Sequence, residues 1–95
     1  MAGTAVTVRI PTQLRTLTGG ASEVSVGGGT VADVLKQLDA EHPGFGERIF
    51  DESGALRRFV NVFVADEDIR FLQNLDTPLA DGQVVSIVPA VAGGA

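Results

Sequence analysis

Thr30-Val31-Ala32-Asp33-Val34-Leu35-Lys36-Gln37-Leu38-Asp39-Ala40-Glu41-His42-Pro43-Gly44 is the stretch around which the rest of the chain arranges itself. Val31, Val34, Leu35 and Leu38 recur at the spacing of one helical face, while Lys36, Gln37, Asp39 and Glu41 fall on the other side. Thr30 is placed to cap this helix, and Asp33, three residues on, supplies a carboxylate version of the capping box. Pro43-Gly44 stops it. His42 falls at the helix C-terminus, where its ring interacts favourably with the helix dipole.

Toward the N-terminus, Thr4 to Ile10 alternates β-branched with small or polar groups, and Pro11 ends the run. A wide loop carrying Leu14, Leu17 and Gly19-Gly20 separates it from a second short strand, Glu23 to Val26, completing a hairpin. Toward the C-terminus, Phe45 to Leu56 reads as irregular, with Ile49, Phe50 and Leu56 plugging the core. Phe59 to Val64 is the strongest strand pattern. Asp66-Glu67-Asp68 then reads as a turn, Ile69 to Phe71 as a short returning strand and Asp81-Gly82 as another turn. Val84 to Val88 is the final strand, closed by Pro89. The order β-β-α-β-β-β, two hairpins around one amphipathic helix, belongs to the compact α+β class. We expect one domain over residues 1–89 and a flexible tail over 90–95.

The chain has 95 residues, enough for one domain and one modest core. It has no cysteine, so disulfides, thiolate catalysis and thiolate metal sites are excluded, and His42 alone cannot build a metal site. No apolar run approaches the length of a membrane span, and Met1 to Thr4 lacks the features of a signal peptide. The expected compartment is the cytoplasm, with no membrane association. Seven basic residues stand against twelve acidic ones, a net charge of -5 that argues against nucleic acid. Arg57-Arg58 is the only adjacent basic pair. Such a charge suits a basic protein surface as partner.

The obvious catalytic patterns fail on inspection. Gly27, Gly29 and Ala32 match a loose dinucleotide fingerprint, G-x-G-x-x-A, between a strand and a helix. The chain is too short for the sheet that carries that site, and no lysine serves a phosphate loop. A flexible strand-to-helix turn accounts for those glycines without a ligand. Nucleophilic catalysis needs a nucleophile beside a base, and His42, the only imidazole, is better explained as structural. Asp66, Glu67 and Asp68 lack the spaced oxygen ligands and glycine of a calcium loop. Asn61, inside an apolar strand, needs a hydrogen-bond partner and is expected to tie its strand to a neighbouring loop.

The C-terminus carries the chemistry that remains. Pro89 cannot donate to a ladder, so residues from Ala90 onward should leave the sheet. Five or so extended residues reach roughly 17 Å, enough to thread a channel into a partner's active site. Glycine at the end of the thread has no Cβ to jam a narrow channel, and it leaves the carbonyl open from either face. A carboxylate is inert to nucleophiles until its oxygen becomes a leaving group, so a partner must activate it, most simply with ATP.

Phe59-Val60-Asn61-Val62-Phe63-Val64, Thr77-Pro78-Leu79-Ala80-Asp81-Gly82 and Val88-Pro89-Ala90-Val91-Ala92-Gly93-Gly94 together resemble the ubiquitin-like sulfur carriers of the MoaD/ThiS family. Arg58-Phe59-Val60-Asn61 and the acidic turn with Ile69-Arg70-Phe71 extend the resemblance over nearly the whole chain. The glycine-ended tail is its specific part; the strand patterns support it. The resemblance implies a β-grasp fold, a mixed sheet of four to five strands packed on one main helix. It also implies that the chain is a co-substrate rather than an enzyme, binding no cofactor itself. A MoeB/ThiF-type activating enzyme, using ATP, would adenylate the terminal glycine, and sulfur would replace the adenylate to give a thiocarboxylate. Gly94 would carry the reacting atom, Ala92 and Gly93 would thread the channel, and Val88 would dock partners as an outward-facing apolar residue.

Among the family's branches, the Pro-Ala-Val-Ala-Gly-Gly ending resembles carriers that deliver sulfur to a cysteine synthase acting on O-phosphoserine. The usual molybdopterin tail has two prolines and a small hydroxyl residue before Gly-Gly, where this chain has Ala90 and Ala92. A small subunit of molybdopterin synthase, a carrier for another sulfur-accepting enzyme of secondary metabolism and a ubiquitin-like protein modifier are the alternatives. One departure stands out. Ala95 follows Gly94 and locks its carboxyl in a peptide bond, so we expect trimming by a JAMM-type metallopeptidase before activation.

Overall fold

The computed structural model describes residues 5–89. Five strands form one sheet in the order β2-β1-β5-β3-β4. They are β1 (Ala5–Arg9), β2 (Glu23–Gly27), β3 (Val60–Val64), β4 (Glu67–Asp68) and β5 (Val84–Pro89). β1 and β2 pair antiparallel, as do β3 with β4 and β3 with β5, whereas β1 and β5 run parallel. The sheet is therefore mixed, with the first and last strands side by side at its centre. One main helix, α1 (Val31–Glu41), covers one face, as the β-grasp resemblance implies.

α1 forms where the sequence pattern places it. The Asp33 N–H donates to Thr30 Oγ1 at 3.2 Å, satisfying one of the donors that a helix N-terminus leaves open. Val31, Val34, Leu35 and Leu38 are fully buried against Val6, Val8, Val26, Val62, Val85 and Ile87 from the sheet. Each such burial contributes roughly 1.5–3 kcal/mol before chain entropy is counted. The start of α1 is also fastened to the loop before β5. Val31 N–H donates to the Thr77 carbonyl at 3.1 Å and Leu79 N–H to the Gly29 carbonyl at 2.9 Å. The Gly27–Gly29 turn has a packing reason, because a Cβ on Gly28 would sit 2.8 Å from both Val34 N and Val34 Cγ2.

Besides Glu67–Asp68, expected in a turn but paired with β3 as strand β4, three elements differ from the sequence reading. The segment after Pro43 is not wholly irregular: Phe45–Ile49 is a short helix, α2. Its entry is organised by Asp39 Oδ1, which accepts from Gly44 N–H at 3.3 Å and Gly46 N–H at 2.7 Å. Gly44 has φ 114°, a conformation that glycine adopts without strain. Phe45 and Ile49 are fully buried, while Phe50 and Leu56 pack partly buried against the core and share an isolated bridge. Ile69–Phe71 is a 3-10 turn rather than a strand. Asp68 Oδ1 accepts from Arg70 N–H at 2.8 Å, and that local bond turns the chain out of the ladder.

The third difference is that β5 includes Pro89, which stands opposite Val60. Ala65 N–H bonds the Val84 carbonyl, and alternation from that pair places Val60 and Pro89 where an antiparallel ladder makes no bond. The β1–β5 pairing ends at Arg9 opposite Ser86, so the donor that proline lacks has no acceptor waiting. The loop after β1 also gains order as a 3-10 helix, Thr12–Thr18, with Leu14 buried.

Candidate functional site: the open sheet face beside the end of β5

α1 covers one sheet face, and strand alternation assigns the other to the residues between the core positions. On β5, Val85 and Ile87 point to the core, while Ser86 is partly exposed and Val88 is 45% exposed. The register sets Val88 opposite Asn61 on β3, and aligns Glu23, Arg9, Ser86, Phe63 and Asp68 in one row across the five strands. The sequence reading assigns docking to Val88, and the structure puts that residue on the open face beside the last described residue.

Asn61 sits in an apolar strand because it has a partner. Arg70 Nη2 donates to Asn61 Oδ1 at 2.6 Å, so the amide ties β3 to the loop after β4, as its position suggested. Arg70 also grips Asp68 through Nε at 3.1 Å and Nη2 at 2.7 Å. The hydrogen bond from Arg70, then its charge, holds the Asp68 carboxyl below the ordinary aspartate value of 3.8. The same ion pair raises the Arg70 guanidinium above its usual value. The acidic turn is thus organised around an arginine. Ala65 and Asp66 have φ 52° and 71°, as a two-residue hairpin connection requires.

Two exposed aromatic side chains lie before β3 and after β4. Phe59, 54% exposed, stands on the turn entering β3, and Phe71, 82% exposed, follows Arg70. The sequence reading singled out neither as a docking residue. The signal was available for Phe59 and Phe63, whose parity matches Asn61 and therefore Val88; no periodic signal marks Phe71. His42 lies at the C-cap of α1, its ring edge-on to Phe45 at 6.4 Å. Among the described residues no group of three His, Cys, Asp or Glu side chains is placed to hold a metal ion. No helix among them is long and apolar enough to cross a membrane. Ala92, Gly93, Gly94 and Ala95 lie outside the described residues.

This arrangement leaves a half-exposed valine on the strand that precedes the tail in sequence. The model of the ThiS family matches residues 8–94. The chain is 53% identical over 91 residues to the sulfur carrier protein CysO of Mycobacterium tuberculosis, covering 94% of this chain and 98% of that one. Its fold matches the crystal structure of the Amycolatopsis orientalis BexX/CysO complex with a TM-score of 0.87 and 46% identity, over 94% of this chain and 99% of the other. It also matches the solution structure of small archaeal modifier protein 1 from Methanosarcina acetivorans, with a TM-score of 0.83 and 31% identity, over 99% and 100% of the two chains.

Proposed function

The chain belongs to the ThiS family, and from that premise we propose that it is a sulfur carrier whose working end is the carboxyl group of Gly94. The observation that carries this reading is the extent of the family match, which runs through Gly94 and stops one residue short of Ala95. Ala95 is removed by a JAMM-type metallopeptidase, exposing the Gly94 carboxylate. A MoeB/ThiF-type enzyme then joins that carboxylate to AMP from ATP, with pyrophosphate leaving. A sulfur nucleophile attacks the acyl carbon and displaces AMP, and completion of the exchange leaves a thiocarboxylate. The sulfur passes next to an acceptor on a cysteine synthase, in keeping with the similarity to CysO. The chain itself catalyses none of these steps; it supplies the acyl group and the surface by which each partner holds it. Val88 docks the partner while Ala92 and Gly93 thread its channel.

A second reading has its own support in the similarity to small archaeal modifier protein 1. In that reading the activated Gly94 carboxyl is attacked by a lysine amine and forms an isopeptide bond. One experiment separates the two. The intact mass is followed with a MoeB-type enzyme, ATP and a sulfide source, with and without a JAMM-type peptidase. Loss of one alanine followed by exchange of oxygen for sulfur is the expected result. Removal of the alanine with no gain of sulfur, together with lysine conjugates, would replace the carrier reading by the modifier reading. Sulfur gained with Ala95 still attached would show that trimming is unnecessary.

A further inference from the structure

A cavity of about 570 Å³ opens beside β3, between the turn at residues 55–58 and the segment at 69–76. β4 is only Glu67–Asp68, and the chain turns away at Ile69, which leaves this space along the first part of β3. Val60, Val62 and Leu75 give it apolar walls, and Arg57, Arg58 and Arg70 stand around it. The whole chain has seven basic residues and a net charge of -5. Three of those seven line one cavity, against the two carboxylates of Asp68 and Asp76. Asp68 is already paired with Arg70.

The other two arginines are differently placed. Arg57 Nε donates to the Glu47 carbonyl at 2.9 Å, and its charge is partly offset by the nearby Asp51 carboxylate, which leaves Arg58 as the less compensated cation. Among the described residues the ion pairs are Arg9–Glu23 and Arg70–Asp68, so neither Arg57 nor Arg58 belongs to one. Both side chains are exposed. Position adds a second argument. Val60, in the cavity wall, is the strand partner of Pro89, the last described residue. The cavity is therefore one strand away from the last described residue.

We propose that this cavity docks an acidic segment of a protein partner, with a carboxylate on Arg58 and an apolar neighbour against Val60 and Leu75. Exposed guanidiniums alone hold a small anion poorly, because solvent competes for every bond. A peptide that fills the apolar space brings its carboxylates to the arginines partly desolvated, where forked N–H donors bond a carboxylate in pairs. Charge complementarity also steers the encounter of two acidic proteins to the one face where they attract. That the partner is the one receiving the tail rests on the carrier reading; the chemistry of the surface does not.

The test is a ¹⁵N NMR titration of the full chain with a blocked hexapeptide of alternating glutamate and leucine, and with its lysine–leucine counterpart. The acidic peptide is expected to give saturable shifts centred on Val60, Val62, Ile69 and Leu75, weakening as salt rises; the basic peptide gives none. Arg58→Glu should weaken binding at least tenfold. Lys36→Glu makes the same change in net charge on the exposed side of α1 and should weaken it less than threefold. Arg58 makes no side-chain hydrogen bond within the described residues, and an unchanged spectrum away from the cavity checks that the variant folds. Absence of saturable shifts, shifts centred instead on Phe63 and Val88, or equal losses in the two variants would overturn the proposal. The titration does not use Gly94. Failure of sulfur exchange with the titration intact would therefore remove the carrier reading and leave the docking site standing.

Discussion

The two faces of β5 place neighbouring residues in different surroundings. Val85 and Ile87, 0% and 2% exposed, are sealed beneath α1, while Val88 stands in water one residue further on. β3 repeats the division: Val62 and Val64 are buried, and Asn61 and Phe63, which alternate with them, face outward with half-buried side chains. On these strands one parity carries the core, and the other holds Val88, to which the proposed function assigns docking of the activating enzyme. Because alternation in a strand is strict, stability and recognition are separable by single substitutions.

Ile87→Ala should show the largest effect. It removes a buried side chain from the centre of the sheet and should cost about 2–5 kcal/mol, read as a lower urea midpoint. A cost below about 1 kcal/mol would mean that the closed face tolerates a cavity and is not what holds the sheet. Val88→Asp is the complementary change. Stability should move by no more than about 0.5 kcal/mol, while affinity for a MoeB-type activating enzyme falls about tenfold, or ~1.4 kcal/mol. Calorimetric titration would measure it, and an unchanged affinity would break the division of labour between the faces.

The smallest effect concerns Asp68, at the end of the cross-sheet row. Its folded pKa is lowered, chiefly by the hydrogen bond from Arg70. A depressed carboxyl contributes stability above its unfolded pKa and loses it as pH falls through the folded value. The difference between the native chain and Asp68→Asn should therefore be constant above about pH 5, shrink as pH falls past the ordinary aspartate value of 3.8, and vanish only below the lower folded pKa. Denaturation at stepped pH would check it. Asp51 is also lowered, first by the hydrogen bond from the Ser53 side chain, so only the paired difference isolates Asp68. A difference that persisted at pH 2 would mean that Asp68 acts through shape rather than charge.

How much of this was legible depends on how local the cause is. α1 was readable because its cap, its four core positions and its stop all lie within one short stretch. The outward position of Val88 followed the parity of its strand, and Asn61 announced a partner by being polar where its neighbours were not. α2 was not readable, because five residues carry too little periodicity, and its organiser, Asp39, belongs to the preceding helix. Ile69–Phe71 looked like a strand by composition, but Asp68 two residues before Arg70 could bond its N–H and bend the chain. The run through Pro89 depended on which ladder positions bond, and that depended on the register with β3. The arginines around the cavity are brought together by the turn before β3 and the exit from β4, and no sequence pattern records their meeting.

The parallel pairing of β1 with β5 has a mechanical consequence. β5 is held on both sides, by β1 and by β3, and the tail follows it in sequence. A partner that draws the tail into a channel pulls along the central strand, not on a rim. Such a force loads the bonds to Thr7–Arg9 and to Val60–Val64 in shear, so that many must yield together. An edge strand pulled from its end would peel away one bond at a time. Under the proposed carrier reading, a partner could thus grip, tug and release the tail while the body behind it keeps its shape.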